Sequence, residues 1–155
     1  MQLNRQVEVS RPAAEAFRYL ADFENAAEWD PGIAEASKLT EGPVRVGSEY
    51  DIVALFRGKR QRFRYTVTEL DEGRRRIVLA GDGEKATSVD TIVVEPAGEG
   101  SRITYTAEIK LKGLRRIAEP LLKPMLAKTA NEGMAGLKAT LDRPAQASAG
   151  PTSTG

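Results

Sequence analysis

The run QRFRYTVTELDEGRRRIVLAGDG, residues 61–83, alternates apolar and polar residues and then breaks at glycines. Phe63, Tyr65 and Val67 fall on one face, while Arg62, Arg64, Thr66 and Thr68 fall on the other. Ile77 and Leu79 repeat the pattern beyond the turn, which is the signature of strands in an antiparallel meander. Turn lengths extend the register in both directions. A two-residue turn at Gly58-Lys59 sets Ile52 opposite Tyr65 and Tyr50 opposite Val67. A three-residue loop at Asp71–Gly73 brings Val67 to Ile77, and another at Asp82–Glu84 brings Leu79 to Thr87. A five-residue loop at Pro96–Gly100 pairs Thr91 with Tyr105. The face this predicts carries Tyr50, Ile52, Ala54, Phe63, Tyr65, Val67, Ile77, Leu79, Thr87, Val89, Thr91, Val93, Ile103, Tyr105, Ala107 and Ile109. Asp90 and the arginines go to the opposite face. A slip of one residue would invert a strand.

A sheet with one apolar face needs a cover. From Leu114 the apolar positions Leu114, Ile117, Ala118, Leu121, Leu122, Met125, Leu126, Ala130, Met134, Leu137 and Leu141 follow helical spacing. Pro120 and Pro124 predict a break near 118–124. The same segment is basic and amphipathic, which is also how a membrane-surface helix reads. Core duty is preferred because no other long helix is available, with Leu114–Leu122 as a possible gate or membrane contact. Upstream, QLNRQVEVS reads as a strand, and Ser10 and Pro12 read as the start of a helix ending near Asp22. A second short helix, FENAAEW, stops at Asp30-Pro31-Gly32, and the strand IAEASKL follows. RPAQASAGPTSTG, residues 143–155, lacks apolar periodicity and is expected to be a disordered tail, leaving one domain over residues 1–142.

Composition narrows the chemistry. In 155 residues Lys+Arg is 23 and Asp+Glu is 22, so no global charge pulls the chain toward nucleic acid. The cluster RGKRQRFR at 57–64 alternates with its aromatics and reads as a solvated sheet face. No leader or spanning stretch is evident, so a cytoplasmic protein without stable membrane insertion is expected. The chain has neither Cys nor His. Thiolate nucleophiles, cysteine metal sites and the usual neutral-pH proton carrier are thereby excluded. GDGE at 81–84 matches neither a phosphate loop nor a calcium loop. No metal and no cofactor are expected.

The order strand, two short helices, six-stranded meander and long C-terminal helix is that of the α+β helix-grip fold. In VSRPAAEAFRYLADFENAAEWDPGI, KLTEGPVRVGSEYDI and YTVTELDEGRRRIVLAGDG the chain resembles the START-like (SRPBCC) superfamily, in its bacterial polyketide cyclase/dehydrase-like branch. The resemblance covers residues 3–142. It implies a curved sheet of about seven strands wrapped around the long helix, with an internal cavity between them.

Within that frame the predicted inner face is uncharged but dotted with hydroxyls. A pocket for a small hydrophobic molecule, lipid-like or aromatic polyketide-like, is expected from Trp29, Tyr50, Ile52, Phe63, Tyr65, Leu79, Thr91, Tyr105 and Met125. The function expected is binding or carriage of that molecule, and the alternative is a cyclase or dehydratase acting in the same cavity. Trp29, the only tryptophan, either plugs the core edge or guards the mouth. For an enzyme the acidic candidates are Glu28, Asp30 and Glu49. A carboxylate beside a tyrosine hydroxyl inside the cavity would favour catalysis.

Overall fold

The computed structural model describes residues 1–143, so the expected tail beyond Arg143 lies outside the described residues. Strand β1 (Gln2–Val9) leads into helix α1 (Ala13–Ala21), a 3-10 turn (Phe23–Asn25) and the single helical turn α2 (Ala26–Trp29). Six strands follow: β2 (Ile33–Lys38), β3 (Glu49–Phe56), β4 (Lys59–Asp71), β5 (Arg76–Gly83), β6 (Ala86–Ala97) and β7 (Gly100–Leu111). A 3-10 segment (Gly113–Ala118) then runs into α3 (Glu119–Leu141). The seven strands form one antiparallel sheet in the order β1-β7-β6-β5-β4-β3-β2, curled into a half-barrel that grips α3. This is the helix-grip fold.

The register departs from the sequence reading in an instructive way. The β3–β4 turn is Arg57-Gly58, with both residues at positive φ (54° and 76°), so Tyr50 meets Tyr65 and Ile52 meets Phe63. That shift of two leaves the faces unchanged. Between β4 and β5 the turn spans residues 72–75, one residue longer than expected, but a bulge between Val67 and Glu69 restores the phase. Between β5 and β6 only Glu84 and Lys85 intervene, and Leu79 pairs with Asp90. The odd slip inverts β6. Ala86, Ser88, Asp90, Ile92 and Val94 face inward, whereas Thr87, Val89, Thr91 and Val93 face outward, with Val89 exposed. A second odd difference at the two-residue turn Gly98-Glu99 returns β7 to its expected phase, so Ile103, Tyr105 and Ala107 face inward.

Helix α3 covers the sheet with its C-terminal half. Gly133, Leu137, Thr140 and Leu141 are buried there, and the core closes against Phe17, Leu20, Ile77, Ile92, Val94 and Ile103. Ser10 does not cap α1. Its N–H donates to Asp142 Oδ1 (2.9 Å) and its hydroxyl donates to the Asp142 carbonyl (3.0 Å), tying the end of β1 to the end of α3. Pro120 sits in the first turn of α3, where its missing N–H costs nothing, and Pro124 lies inside the helix. The expected core role of the segment before Leu122 is not observed: Leu114, Ile117 and Leu121 are 87%, 79% and 78% exposed. On the outer sheet face, Arg60, Arg62 and Arg64 pair with Glu35, Asp51 and Glu49.

Candidate functional site

Where the N-terminal half of α3 stands away from the sheet, a cavity of about 640 Å³ remains. Phe23, Trp29, Ile52, Phe63, Tyr65, Ala107, Ile109, Leu122, Leu126 and Met134 supply most of its apolar wall. Lys59, Lys85, Arg57 and Arg115 lie at the end where the β3–β4 and β5–β6 turns and the 3-10 segment meet.

Two glycines on β5 shape the wall. Gly81 pairs with Tyr65, and Gly83 with Phe63. A Cβ on Gly81 would lie 2.6 Å from the Tyr65 ring, and one on Gly83 would lie 2.8 Å from the Phe63 ring. Both aromatic rings therefore lie across bare backbone, which any larger residue would fill.

The turn Trp29-Asp30-Pro31-Gly32 seats against α3 in the same manner. A Cβ on Gly136 would stand 2.1 Å from the Trp29 carbonyl oxygen, and one on Gly133 would stand 3.3 Å from Asp30 Oδ1. Trp29 is 3% exposed, and its indole meets the Tyr105 ring edge-on at 6.0 Å. It thus serves both as plug and as cavity wall. Its Nε1–H is buried without a protein acceptor.

The polar centre of the cavity is Asp90. It is 5% exposed and accepts hydrogen bonds from the Ser88 hydroxyl (2.5 Å) and the Tyr105 hydroxyl (2.5 Å). Burial raises its pKa to about 6; the two hydrogen bonds oppose that rise, and the nearby Asp30 carboxylate adds to it. Asp30, which also lines the cavity, is raised by burial as well, with Glu132 adding to the rise and the Gly32 N–H (2.8 Å) opposing it. Burial, reinforced by the Asp90 charge, pushes the phenols of Tyr65 and Tyr105 well above their ordinary range. At neutral pH both tyrosines remain donors, while Asp90 can hold or release a proton. Arg5 on β1 also lines the cavity and donates through Nε to Asn131 Oδ1 (2.8 Å). The inner face is therefore not free of charge, contrary to the sequence reading.

Residues 1–142 match the family model for polyketide cyclase/dehydrase and lipid transport proteins. The chain belongs to that family. Its fold is similar to the ZhuI aromatase/cyclase from Streptomyces sp. R1128, at TM-score 0.81 and 15% identity over 97% of this chain and 99% of that one. It is also similar to TTHA0849 from Thermus thermophilus, at TM-score 0.78 and 17% identity over 91% and 97% of the two chains. A START superfamily protein from Mycobacterium smegmatis matches at TM-score 0.69 and 20% identity over 91% and 94%. No curated protein matches the chain.

In this polyketide cyclase-family chain, five of the nine residues expected to line the pocket do so: Trp29, Ile52, Phe63, Tyr65 and Tyr105. Tyr50 and Leu79 belong to the packed core, where both are fully buried. Thr91 lies on the outer sheet face because β6 is inverted, and Met125 is 37% exposed on the outer flank of α3. Of the acidic candidates, Asp30 reaches the cavity, while Glu49 is engaged on the outer face by Arg64. Glu28 is exposed and absent from the cavity wall. Sequence reasoning missed Asp90, Ser88 and Arg5. The signal available for Asp90 was the pair Ile92 and Val94, which share its phase on β6 and are fully buried.

Proposed function

We propose that the protein binds a small, largely apolar molecule carrying at least one hydroxyl or carbonyl oxygen. The observation that carries this reading is the buried Asp90–Ser88–Tyr105 cluster inside a cavity whose wall is mostly apolar. Apolar burial, at about 25 cal/mol per Å², would supply most of the affinity. Asp90 and Tyr105 would orient the oxygen. The fold likeness to an aromatase/cyclase makes fused aromatic or polyketide-like molecules the first class to test. Naphthalene and 2-naphthol differ by one hydroxyl and serve as probes. Expected is roughly tenfold tighter binding of 2-naphthol, with the advantage reduced in Tyr105→Phe. Equal affinities for the two probes would reject the reading. Native mass spectrometry of freshly purified protein would reveal the natural guest.

A second reading, a cyclase or dehydratase, is favoured by the Asp90–Tyr105 pair. Dehydration of a β-hydroxy ketone moves the α-proton to a base while the hydroxyl leaves as water with a proton from an acid. Asp90 would take the α-proton and return it to the leaving hydroxyl, while Tyr105 would donate a hydrogen bond to the enolate oxygen. If Asp90 is the base, turnover of a β-hydroxy ketone rises with pH through about 6 and disappears in Asp90→Asn.

A further inference from the structure

The 3-10 segment Gly113–Ala118 and the first turns of α3 are apolar on two sides. Ala118, Leu122 and Leu126 line the cavity, whereas Leu114, Ile117 and Leu121 project into solvent. All three are strongly exposed and lie close together along the chain, across the junction between the 3-10 segment and α3. Large aliphatic residues grouped in this way mark a contact surface when they are this exposed.

Charge surrounds this patch. Arg115, Arg116 and Lys123 flank it, and among the described residues none of them enters an ion pair. The opposite lip of the cavity adds Arg57, Lys59 and Lys85. Of the acids at this end, Asp82 is held by Lys112 (2.8 Å), leaving Glu84 in the β5–β6 turn and Glu119, whose carboxylate accepts from the Leu111 N–H (3.3 Å), against the six basic side chains. The chain as a whole is nearly neutral, at +1, so this end is cationic by segregation.

We propose that this face docks on an anionic lipid bilayer and sets the cavity mouth against the membrane surface. A second copy of the chain would bring two cationic rims together. A bilayer offers negative charge and accepts protruding aliphatic side chains without a shaped groove. An apolar guest could then pass between lipid and cavity without crossing bulk water. The inference does not depend on what that guest is.

The test is sedimentation of the full chain with phosphatidylcholine vesicles made with or without phosphatidylglycerol. Expected is at least roughly tenfold stronger binding to the anionic vesicles, weakened by high salt. Ile117→Glu with Leu121→Glu should abolish it, and Arg115→Glu with Arg116→Glu should reduce it to the level of neutral vesicles. Leu114→Ser is a milder variant that should weaken binding if the glutamates impair folding. The 2-naphthol affinity should be unchanged in Ile117→Glu/Leu121→Glu, because neither side chain lines the cavity. Absence of binding to anionic vesicles would overturn the proposal, as would binding that these variants leave intact. A wild-type dimer that Leu121→Glu splits, without vesicle binding, would assign the face to self-association instead.

Discussion

Replacing Asp90 by asparagine should stabilise the protein at neutral pH and do nothing comparable in mild acid. In the folded chain Asp90 titrates near 6, against an ordinary value of 3.8. The folded state therefore binds the proton more tightly than the unfolded chain does. Its contribution is fully present below the unfolded value and is lost as pH rises through about 6. A difference of about two pKa units corresponds to roughly 3 kcal/mol, of which about 2 falls between about pH 4 and about pH 7. Asparagine keeps the size and an oxygen that accepts from Tyr105 or Ser88, but it carries no charge to desolvate. Urea unfolding followed by the fluorescence of Trp29 measures both proteins across that range. The decisive quantity is the gap between variant and wild type, because the other carboxylates titrate in both. That gap should widen in favour of Asp90→Asn by about 2 kcal/mol from acid to neutral pH. A gap constant to within about 0.5 kcal/mol would refute the account of Asp90 as a desolvated carboxylate.

Two glycine substitutions test the shape of the site. On an exposed helix, Gly→Ala gains about 1 kcal/mol. Gly136→Ala should instead destabilise by roughly 1–3 kcal/mol in urea unfolding, because the new Cβ would stand 2.1 Å from the Trp29 carbonyl. Gly81→Ala should displace the Tyr65 ring, which lies 2.6 Å from the added methyl, and weaken 2-naphthol binding by roughly tenfold in a fluorescence titration. An unchanged 2-naphthol affinity in that variant would show that Tyr65 does not border the bound molecule.

The order of elements was legible because the alternation on β3, β4 and β7 is strong and the turns are marked by glycine. What failed was parity. The sequence permits either a two- or a three-residue turn near Gly83, and the choice decides which face of β6 is buried. On β6 the competing phases are Thr87-Val89-Thr91-Val93 and Ser88-Asp90-Ile92-Val94, and an aspartate argues strongly for the solvent. The physical rule was sound, and the site broke it. The second parity error, at Gly98-Glu99, cancelled the first, so β7 came out correctly oriented and gave no warning. The α3 segment failed for a different reason. Helical periodicity shows that Leu114, Ile117 and Leu121 share a side, but periodicity cannot tell whether that side meets a sheet or water. The proline break at Ala118–Pro120 changes the axis on which the pattern must be read.

The violated rule carries the functional argument. A buried carboxylate that depresses stability by roughly 3 kcal/mol at neutral pH removes a substantial share of the 5–15 kcal/mol typical of a domain. Packing does not require it, since asparagine has nearly the same volume, and its oxygen would accept from one hydroxyl while its amide nitrogen donates to the other. A structural role would be served by the amide. What the amide lacks is a proton to exchange and a full negative charge to direct hydrogen bonds from Tyr105 and Ser88 beside an open cavity. Turnover of a β-hydroxy ketone by wild type that Asp90→Asn abolishes therefore separates the two readings of the cavity, since affinity for 2-naphthol survives in both. A carrier keeps most of its 2-naphthol affinity when Asp90 is neutral, because apolar burial dominates that affinity. An enzyme keeps its affinity, gains stability and loses turnover, the trade expected where a strained group does chemistry.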